Sequence, residues 1–264
     1  MRTSKKLFIG IACACATSFS VAAQGISNED VMLTNAIKYL NTPYVEHTLD
    51  VNGPEELVLN CDEVDCTTFV EYVLAESLCP VVNGDISEGT FAQKLQQIRY
   101  RDGKINGYTS RLHYISDWIN NGVRNDFLED VTAEKSQDTQ QLNLYYMSTH
   151  PQEYKQLANS PENVATMKRI EESLTGQTIH YLPKDKVPYN GLTWIKNGDI
   201  IAITTNTPGL DIAHLGIAFY ADGKLTLIHA SSKEGKVIAS TTTLAQMLKD
   251  NKKWTGIRVL RMKK

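Results

Sequence analysis

Positive charge, long apolar runs and internal repeats are all scarce in this sequence. Its 264 residues carry 27 Lys and Arg against 30 Asp and Glu, whereas nucleic-acid-binding domains are typically basic. After the N-terminal segment, no stretch approaches the roughly 20 apolar residues that a membrane-spanning helix needs. No repeat period or low-complexity tract is present. With 42% apolar residues, the chain is expected to be globular, without a nucleic-acid partner and without a membrane span.

The N-terminal segment has the pattern of a secretory signal. Arg2, Lys5 and Lys6 precede an apolar stretch from Leu7 to Ala16, and small residues follow up to Ala23. A charged region, a short apolar region and a small-residue cleavage site define such a leader. We predict cleavage after Ala23 and a periplasmic or otherwise exported protein. Lipidation at one of the two cysteines of the leader is the open alternative.

Cleavage after Ala23 would leave 241 of the 264 residues, and few of them are cysteines. Cys61, Cys66 and Cys79 stay in the mature chain, and an odd number in an oxidising compartment leaves at least one thiol unpaired. A bridge between Cys61 and Cys79 is left open, and Cys66 is then free. Because no pair of histidines accompanies Cys61 and Cys66, a zinc site is not favoured. We therefore predict no metal and no cofactor.

Periodicity divides the chain into a helical part and a strand-rich part. Apolar spacing predicts helices at 90–100, 110–121, 152–158, 161–174 and 242–250, and strands at 178–182, 199–204, 214–220, 224–230 and 256–260. Ala221-Asp222-Gly223 is typical of a hairpin turn. The sequence therefore predicts an α+β protein, with one domain at 24–264, helices concentrated at about 80–178, and a monomeric state.

Cys66 stands at the start of a further predicted helix. Apolar residues after it recur at helical spacing, and Asp65 occupies the expected N-cap position. At the first helical position, unsatisfied amides and the helix dipole favour a thiolate over a thiol. Cys66 is therefore a candidate nucleophile, although a buried structural cysteine is the commoner case.

Two histidines are candidates for the base that a cysteine nucleophile needs. His214 and His229 lie at similar distances on either side of the turn at Asp222-Gly223. In an antiparallel hairpin they can approach each other across the pair. One ring nitrogen of His214 would then face His229, and the other would face Cys66, as in a nucleophile, base and orienting group.

Four motifs, in this order, resemble those of the NlpC/p60-type, papain-like cell-wall cysteine amidases. They are Asp65-Cys66-Thr67-Thr68-Phe69-Val70, Asn197-Gly198-Asp199-Ile200, His214-Leu215-Gly216-Ile217 and Ile228-His229-Ala230-Ser231-Ser232. The segment 41–45 resembles the one that precedes the cysteine in that family. The resemblance implies a papain-like core in which a cysteine helix packs on an antiparallel sheet. It also implies that Cys66 is the nucleophile, His214 the general base and acid, His229 the orienting residue, and Tyr44 a residue near the oxyanion.

The sequence departs from the endopeptidases of that family in two ways. Val45-Glu46-His47 and Thr67-Thr68 stand where those enzymes usually carry Trp-Gly-Gly and Ser-Gly, and 148 positions separate Cys66 from His214. The long helical insertion resembles the N-acetylmuramoyl-L-alanine amidase-like branch. That branch implies cleavage of the lactyl amide between muramic acid and L-alanine in peptidoglycan fragments, in particular anhydro-muropeptides.

Four more residues are candidates for substrate binding. Arg111, His113 and Tyr114 in the insertion offer donors and a stacking face suited to a carboxylate or a sugar ring. Asp211 could contact substrate or cap the turn ahead of His214, and we favour substrate contact. The open alternatives are a γ-D-glutamyl-diamino acid endopeptidase and a non-catalytic peptidoglycan-binding module.

Overall fold

The computed structural model describes residues 31–82 and 84–263. The predicted leader lies outside these residues, as does Ser27-Asn28-Glu29-Asp30, whose capping-box-like pattern predicts the start of a helix. Within them, no helix combines the length and the apolar character that crossing a membrane would require.

Helices and strands have the following bounds. The helices are α1 Val31–Lys38, α2 Cys66–Leu78, α3 Glu88–Arg99, α4 Ile115–Arg124, α5 Val131–Lys135, α6 Tyr146–Thr149, α7 Lys155–Ala158, α8 Pro161–Leu174 and α9 Leu244–Asp250. The strands are β1 Leu128–Asp130, β2 Thr139–Gln141, β3 Thr178–His180, β4 Leu182–Pro183, β5 Ile200–Thr205, β6 Ile212–Ala221, β7 Lys224–Ser231, β8 Lys236–Ala239 and β9 Trp254–Met262.

The second half of the chain forms most of an antiparallel sheet. Its strands run in the order β1-β9-β5-β6-β7-β8, with β4 also paired to β9. Strands β2 and β3 form a separate antiparallel pair. Several helices accompany this sheet, so the predicted α+β class is confirmed.

Helix α2 supplies the centre of the core on one face of the sheet. Phe69, Val70, Val73 and Leu74 are all fully buried, and they belong to one apolar cluster with residues of α1, α3, β5 and β6. Helix α9 covers the opposite face, where Leu244 and Leu248 join a second cluster. The cysteine helix is therefore held by burial along its length, which fixes the position of its first residue.

The predicted hairpin turn between β6 and β7 is present. Asp222 and Gly223 have φ values of 49° and 72°, as a two-residue turn with two left-handed positions requires. Strand β8 was not predicted, because its four residues are too few for an alternating pattern to be distinctive.

The insertion is less regular than its sequence pattern predicts. The helix expected at 110–121 begins only at Ile115, because a 3-10 turn at Tyr108–Ser110 and an extended segment precede it. The helix expected at 152–158 is divided into a 3-10 turn at Pro151–Glu153 and α7. Strands β1 and β2 also lie within this region. The insertion has an apolar cluster of its own, which includes Leu142, Met167 and Leu174.

Gly256 allows a close approach between β9 and β4. A Cβ atom at this position would lie 2.3 Å from the Leu182 carbonyl oxygen, so backbone would have to move. We expect Gly256→Ala to lower the free energy of unfolding by about 1–3 kcal/mol, measured by urea denaturation. Gly89→Ala in α3 is the matched control, since the nearest atom is 3.9 Å away and helix propensity favours Ala. Equal stability of the two variants would contradict this account.

Candidate active site

Asp65 fixes the start of the cysteine helix. Its Oδ1 accepts hydrogen bonds from the backbone N–H groups of Thr67 at 2.9 Å and Thr68 at 2.7 Å. In return, Thr68 Oγ1 accepts the Asp65 N–H at 2.9 Å, which completes a capping box with Thr in place of the usual Glu or Gln. Cys66 is then the first helical residue, as predicted.

His214 and His229 are in direct contact. His214 Nε2 lies 2.8 Å from His229 Nδ1, and the two rings are nearly perpendicular. Because Ile217 pairs with Ile228 in the register of β6 and β7, the histidines are diagonal neighbours rather than directly opposed. A diagonal pair of this kind is within reach of ring side chains.

Two backbone features allow the His214 and His229 side chains to come into contact. Opposite β5, Thr204 pairs with Ile212 and Ile203 with His214, so Ala213 is an extra residue in β6. Such a bulge bends its strand and redirects the next side chain. Gly216 faces His229, and a Cβ there would lie only 3.1 Å from the His229 Cβ. Both features bring the rings of β6 and β7 together.

Trp254 covers one face of the His214 ring. The two rings are parallel within 7°, with centroids 5.9 Å apart. Trp254 belongs to β9, which pairs with β5 beside β6. The indole therefore limits the contact of the His214 ring with water on that side.

Two cavities meet at Cys66. The first, of about 180 Å³, is shared by Cys66 and His214. The second, of about 310 Å³, extends from Cys66 towards Tyr44. Thr67, His113 and Tyr154 line both cavities, as Cys66 does. These joined cavities are the candidate active site, with the thiol at their junction.

The thiol and the imidazoles are neutral in this environment. Burial raises the pKa of Cys66 to about 12, and the Asp65 carboxylate acts in the same direction. Burial lowers the pKa of His214 to about 3 and that of His229 to about 4. The backbone amides at the helix terminus lower the pKa of Cys66, as expected, but desolvation raises it by more, so the net shift is towards the thiol.

Tyr44 lies at the second cavity, held by its backbone. Its N–H donates to Gly235, and the neighbouring Pro43 and Val45 bond to Val64, two residues before Cys66. The Tyr44 hydroxyl donates to Glu46 at 3.3 Å. The structure thus places Tyr44 near Cys66.

Arg111 is engaged by the protein itself. Its Nε and Nη2 donate to the two carboxylate oxygens of Glu55, each at 2.9 Å, and Nη2 also donates to the Leu49 carbonyl. Its Nη1 lies 3.6 Å from Asp50. These contacts tie the 49–55 segment to the insertion. Arg111 also lines the second cavity, so its role in substrate binding stays a prediction.

Tyr114 and Asp211 also have partners within the protein. The Tyr114 hydroxyl donates to Glu171 at 2.7 Å and accepts the Met147 N–H. The Asp211 carboxylate accepts the N–H of Ser116 at 2.6 Å, at the start of α4, and that of Ile212. Both residues line the first cavity, but their polar groups are already paired. Asp211 therefore has a capping role, and its contact with substrate stays a prediction.

Several residues of the site were not predicted. Tyr154, Trp254 and Ala213 reach it through tertiary packing or a strand irregularity, which no local pattern signals. Thr67 was singled out only as a departure from a family motif. Gly216 lay within the motif after His214, and a glycine in a strand does indicate close approach.

The described part of the chain contains neither a disulfide nor a cluster of metal-binding side chains. Cys61, Cys66 and Cys79 are all free thiols. Among residues 31–82 and 84–263, no three His, Cys, Asp or Glu side chains form a group suited to a metal ion.

The fold and the site define a hydrolase-like cleft with one thiol and two imidazoles. A comparison with protein-family models identifies the family. The model described as "N-acetylmuramoyl-L-alanine amidase-like" (AmiA-like) matches residues 35–257. The chain therefore belongs to the N-acetylmuramoyl-L-alanine amidase-like family. No match was found among curated proteins.

Several solved structures are similar to this chain. A Bacteroides uniformis protein named N-acetylmuramoyl-L-alanine amidase is 72% identical, covering 89% of this chain and 100% of that one, with a TM-score of 0.88. A Bacteroides fragilis protein named "putative xylanase" is 64% identical over 87% of this chain and 100% of that one, with a TM-score of 0.85. A Legionella pneumophila protein, 22% identical over 89% of each chain with a TM-score of 0.67, shares the fold.

A neutral thiol has a characteristic alkylation profile. Because the pKa of Cys66 is raised to about 12, its thiolate fraction increases about tenfold per pH unit throughout the neutral range. We expect the rate of Cys66 alkylation by iodoacetamide to increase steadily between pH 6 and pH 9, followed by peptide mass spectrometry. A rate that is constant across this range would reveal a thiolate–imidazolium pair and contradict the assignment. His214→Asn is the control, since a neutral resting state predicts the same slope without the imidazole.

Proposed function

We propose that the protein hydrolyses the amide between the lactyl group of muramic acid and L-alanine in peptidoglycan fragments. Cys66 is the nucleophile, His214 the general base and acid, and His229 the residue that orients His214. The observation that supports this most strongly is the convergence of Cys66 and the bonded His214–His229 pair on one cavity. Membership of the amidase-like family and the name of the 72% identical relative support the choice of bond.

The hydrogen bond between the histidines fixes their tautomers in this mechanism. For His214 Nδ1 to accept the proton of Cys66, its Nε2 must carry the other ring proton and donate it to His229 Nδ1. The atoms are 2.8 Å apart, within hydrogen-bonding distance. His229 then acts as an acceptor that orients the His214 ring.

Acylation begins with a neutral thiol. As the Cys66 sulfur attacks the lactyl carbonyl carbon, its proton passes to His214 Nδ1, and a tetrahedral oxyanion forms. The Cys66 backbone N–H, at the free end of α2, is the candidate donor to that oxyanion. The protonated His214 then gives its proton to the departing L-alanine nitrogen, leaving a thioester on Cys66.

Deacylation reverses the proton transfers with water. His214 Nδ1 removes a proton from water as the oxygen attacks the thioester, and the proton returns to the Cys66 sulfur as the C–S bond breaks. The products are the free lactyl carboxylate on the sugar and a peptide whose N-terminus is L-alanine. Anhydro-muropeptides are the substrates we favour, and the predicted leader supports action outside the cytoplasm.

The γ-D-glutamyl endopeptidase remains the second candidate within the same chemistry. It is supported by the resemblance of the motifs around Cys66 and His214 to NlpC-type enzymes. The Val45-Glu46-His47 and Thr67-Thr68 departures weigh against it, and the comparisons name the muramoyl bond instead.

Glycoside hydrolysis, suggested by the name of the 64% identical relative, would require two carboxyl groups on either side of a glycosidic bond. Asp65 and Asp211 are both occupied as helix caps. Asp50 contacts His47 and Arg111. Among the carboxylates that line the two cavities, this leaves only Glu46 without a charged or capping partner, so the site favours the amidase.

The proposal is tested by the products from a defined disaccharide-tetrapeptide, in reducing-end and anhydro forms. With protein cut after Ala23, we expect mass spectrometry to show free disaccharide and an intact tetrapeptide beginning with L-alanine. Cys66→Ala should reduce the rate at least 1,000-fold, since covalent and acid–base catalysis are lost together.

A matched control shows whether the loss of activity is specific to the Cys66 thiol. Cys79→Ala removes a buried thiol at the other end of α2 and should leave the products and the rate largely unchanged. A sugar product that retains L-alanine and D-glutamate would identify an endopeptidase and refute the proposal. Absence of any product would favour the binding module.

A further inference from the structure

His113 is held in one tautomer by the insertion. Its Nε2 lies 3.0 Å from the Tyr108 carbonyl oxygen, and a carbonyl can only accept, so Nε2 carries the ring proton. The Tyr108 ring lies against the imidazole, with centroids 4.3 Å apart, and Arg111 lies over the Tyr108 ring at 5.2 Å. Because Glu55 holds Arg111 through two hydrogen bonds, the imidazole is packed against a fixed support.

The second ring nitrogen of His113 is free to meet a ligand. Nδ1 has no hydrogen-bond partner among the described residues. It is absent from the buried polar atoms that lack a partner, so it is accessible to solvent. His113 lines both cavities beside Cys66. His113 therefore brings an acceptor that is unpaired among the described residues to the wall that both cavities share.

This acceptor does not become a cation in the neutral range. Burial lowers the pKa of His113 to about 3, and the nearby guanidinium of Arg111 acts in the same direction. A carboxylate would find no proton at Nδ1 and would be repelled by its lone pair. An N–H or O–H group would instead satisfy an acceptor that otherwise stays unpaired.

From this geometry we propose that His113 Nδ1 accepts a hydrogen bond from an amide N–H of the substrate next to the bond that is cut. The inference rests on the proposed function and refines it: His113 selects for a donor, and not for the carboxylate that its residue type alone suggests. The two amide donors nearest to the lactyl amide are the 2-acetamido N–H of the muramic acid and the N–H between L-alanine and D-glutamate.

Binding measurements with two substrate analogues test the role. In one analogue an ester replaces the L-alanyl–D-glutamate amide, and in the other an acetoxy group replaces the acetamido group. Each loses one N–H and keeps its carbonyl. Dissociation constants are measured by calorimetry for the parent and both analogues with Cys66→Ala and with Cys66→Ala/His113→Gln, because neither variant turns over substrate.

The expected result is a coupling between His113 and one donor. For Cys66→Ala, one analogue should bind roughly 5- to 30-fold more weakly than the parent, as for one lost hydrogen bond. With His113→Gln added, the parent should be weakened by a similar factor and that analogue should show no further loss. Gln can still donate to Tyr108 from the Nε2 position, and Asn, whose amide oxygen lies near the Nδ1 position, should restore part of the discrimination.

Results that contradict the role of His113 differ from results that contradict the proposed substrate class. If both analogues bind as tightly as the parent, or lose the same factor with and without His113, the acceptor role is wrong, while the amidase proposal stands. If the parent itself does not bind Cys66→Ala at millimolar concentration, the proposed substrate class fails, and the role of His113 fails with it.

Discussion

The contact between His214 and His229 is the interaction on which the rest of the site depends. Two imidazoles 2.8 Å apart cannot both be protonated, and burial holds each in its neutral form. Their approach requires the hairpin, the bulge at Ala213 and the bare backbone at Gly216. On the other side, the fully buried helix α2 and its Asp65 cap place Cys66 at the same cavity. The sheet and the helix thus position one reacting group each.

Neutrality changes how such a site works. The helix N-terminus and the amides around Cys66 favour an anion, but the desolvation of the thiol is the larger effect, so charge appears only as bonds change. A group that is neutral at rest and charged in the transition state gains most from fixed donors already in place. The Cys66 N–H is such a donor, and Trp254 limits the competing contact of His214 with water.

The polar residues of the insertion that line the cavities bond mainly to other residues of the protein, and in this way they fix the cavity walls. Arg111 fixes the segment around Glu55, Tyr114 is tied to α8 through Glu171, and Asp211 caps α4. Each of these residues has the side chain of a ligand-binding group, yet each has its polar atoms paired. His113 is different, since one of its nitrogens has no partner in the part of the chain that the structure describes, and it lies at the junction of the cavities. The insertion therefore shapes the cleft with many residues and offers an unpaired ring nitrogen at its centre.

Local patterns predicted what depends on local physics. The start of α2 at Cys66 follows from the Asp65 cap, α8 from the helical spacing of its apolar residues, and the β6–β7 hairpin from its turn residues. These also sufficed to bring His214 and His229 together. The late start of α4, the pairing of Arg111 with Glu55 and the stacking of Trp254 depend on contacts between distant segments. Residue type alone suggested substrate roles for Arg111 and Asp211, because a sequence does not show which buried partner a charged side chain will find.

The central claim is that His229 orients His214 by accepting its Nε2 proton, and replacement of His229 tests it most directly. The measurement is kcat/KM for muropeptide hydrolysis by His229→Asn and by His229→Leu, which are similar in size. The Asn amide oxygen can accept the same proton, so we expect His229→Asn to stay within about tenfold of wild type and His229→Leu to lose at least about 100-fold. Equal losses in the two variants would contradict the account, because they would show that the acceptor at this position is not what keeps His214 active.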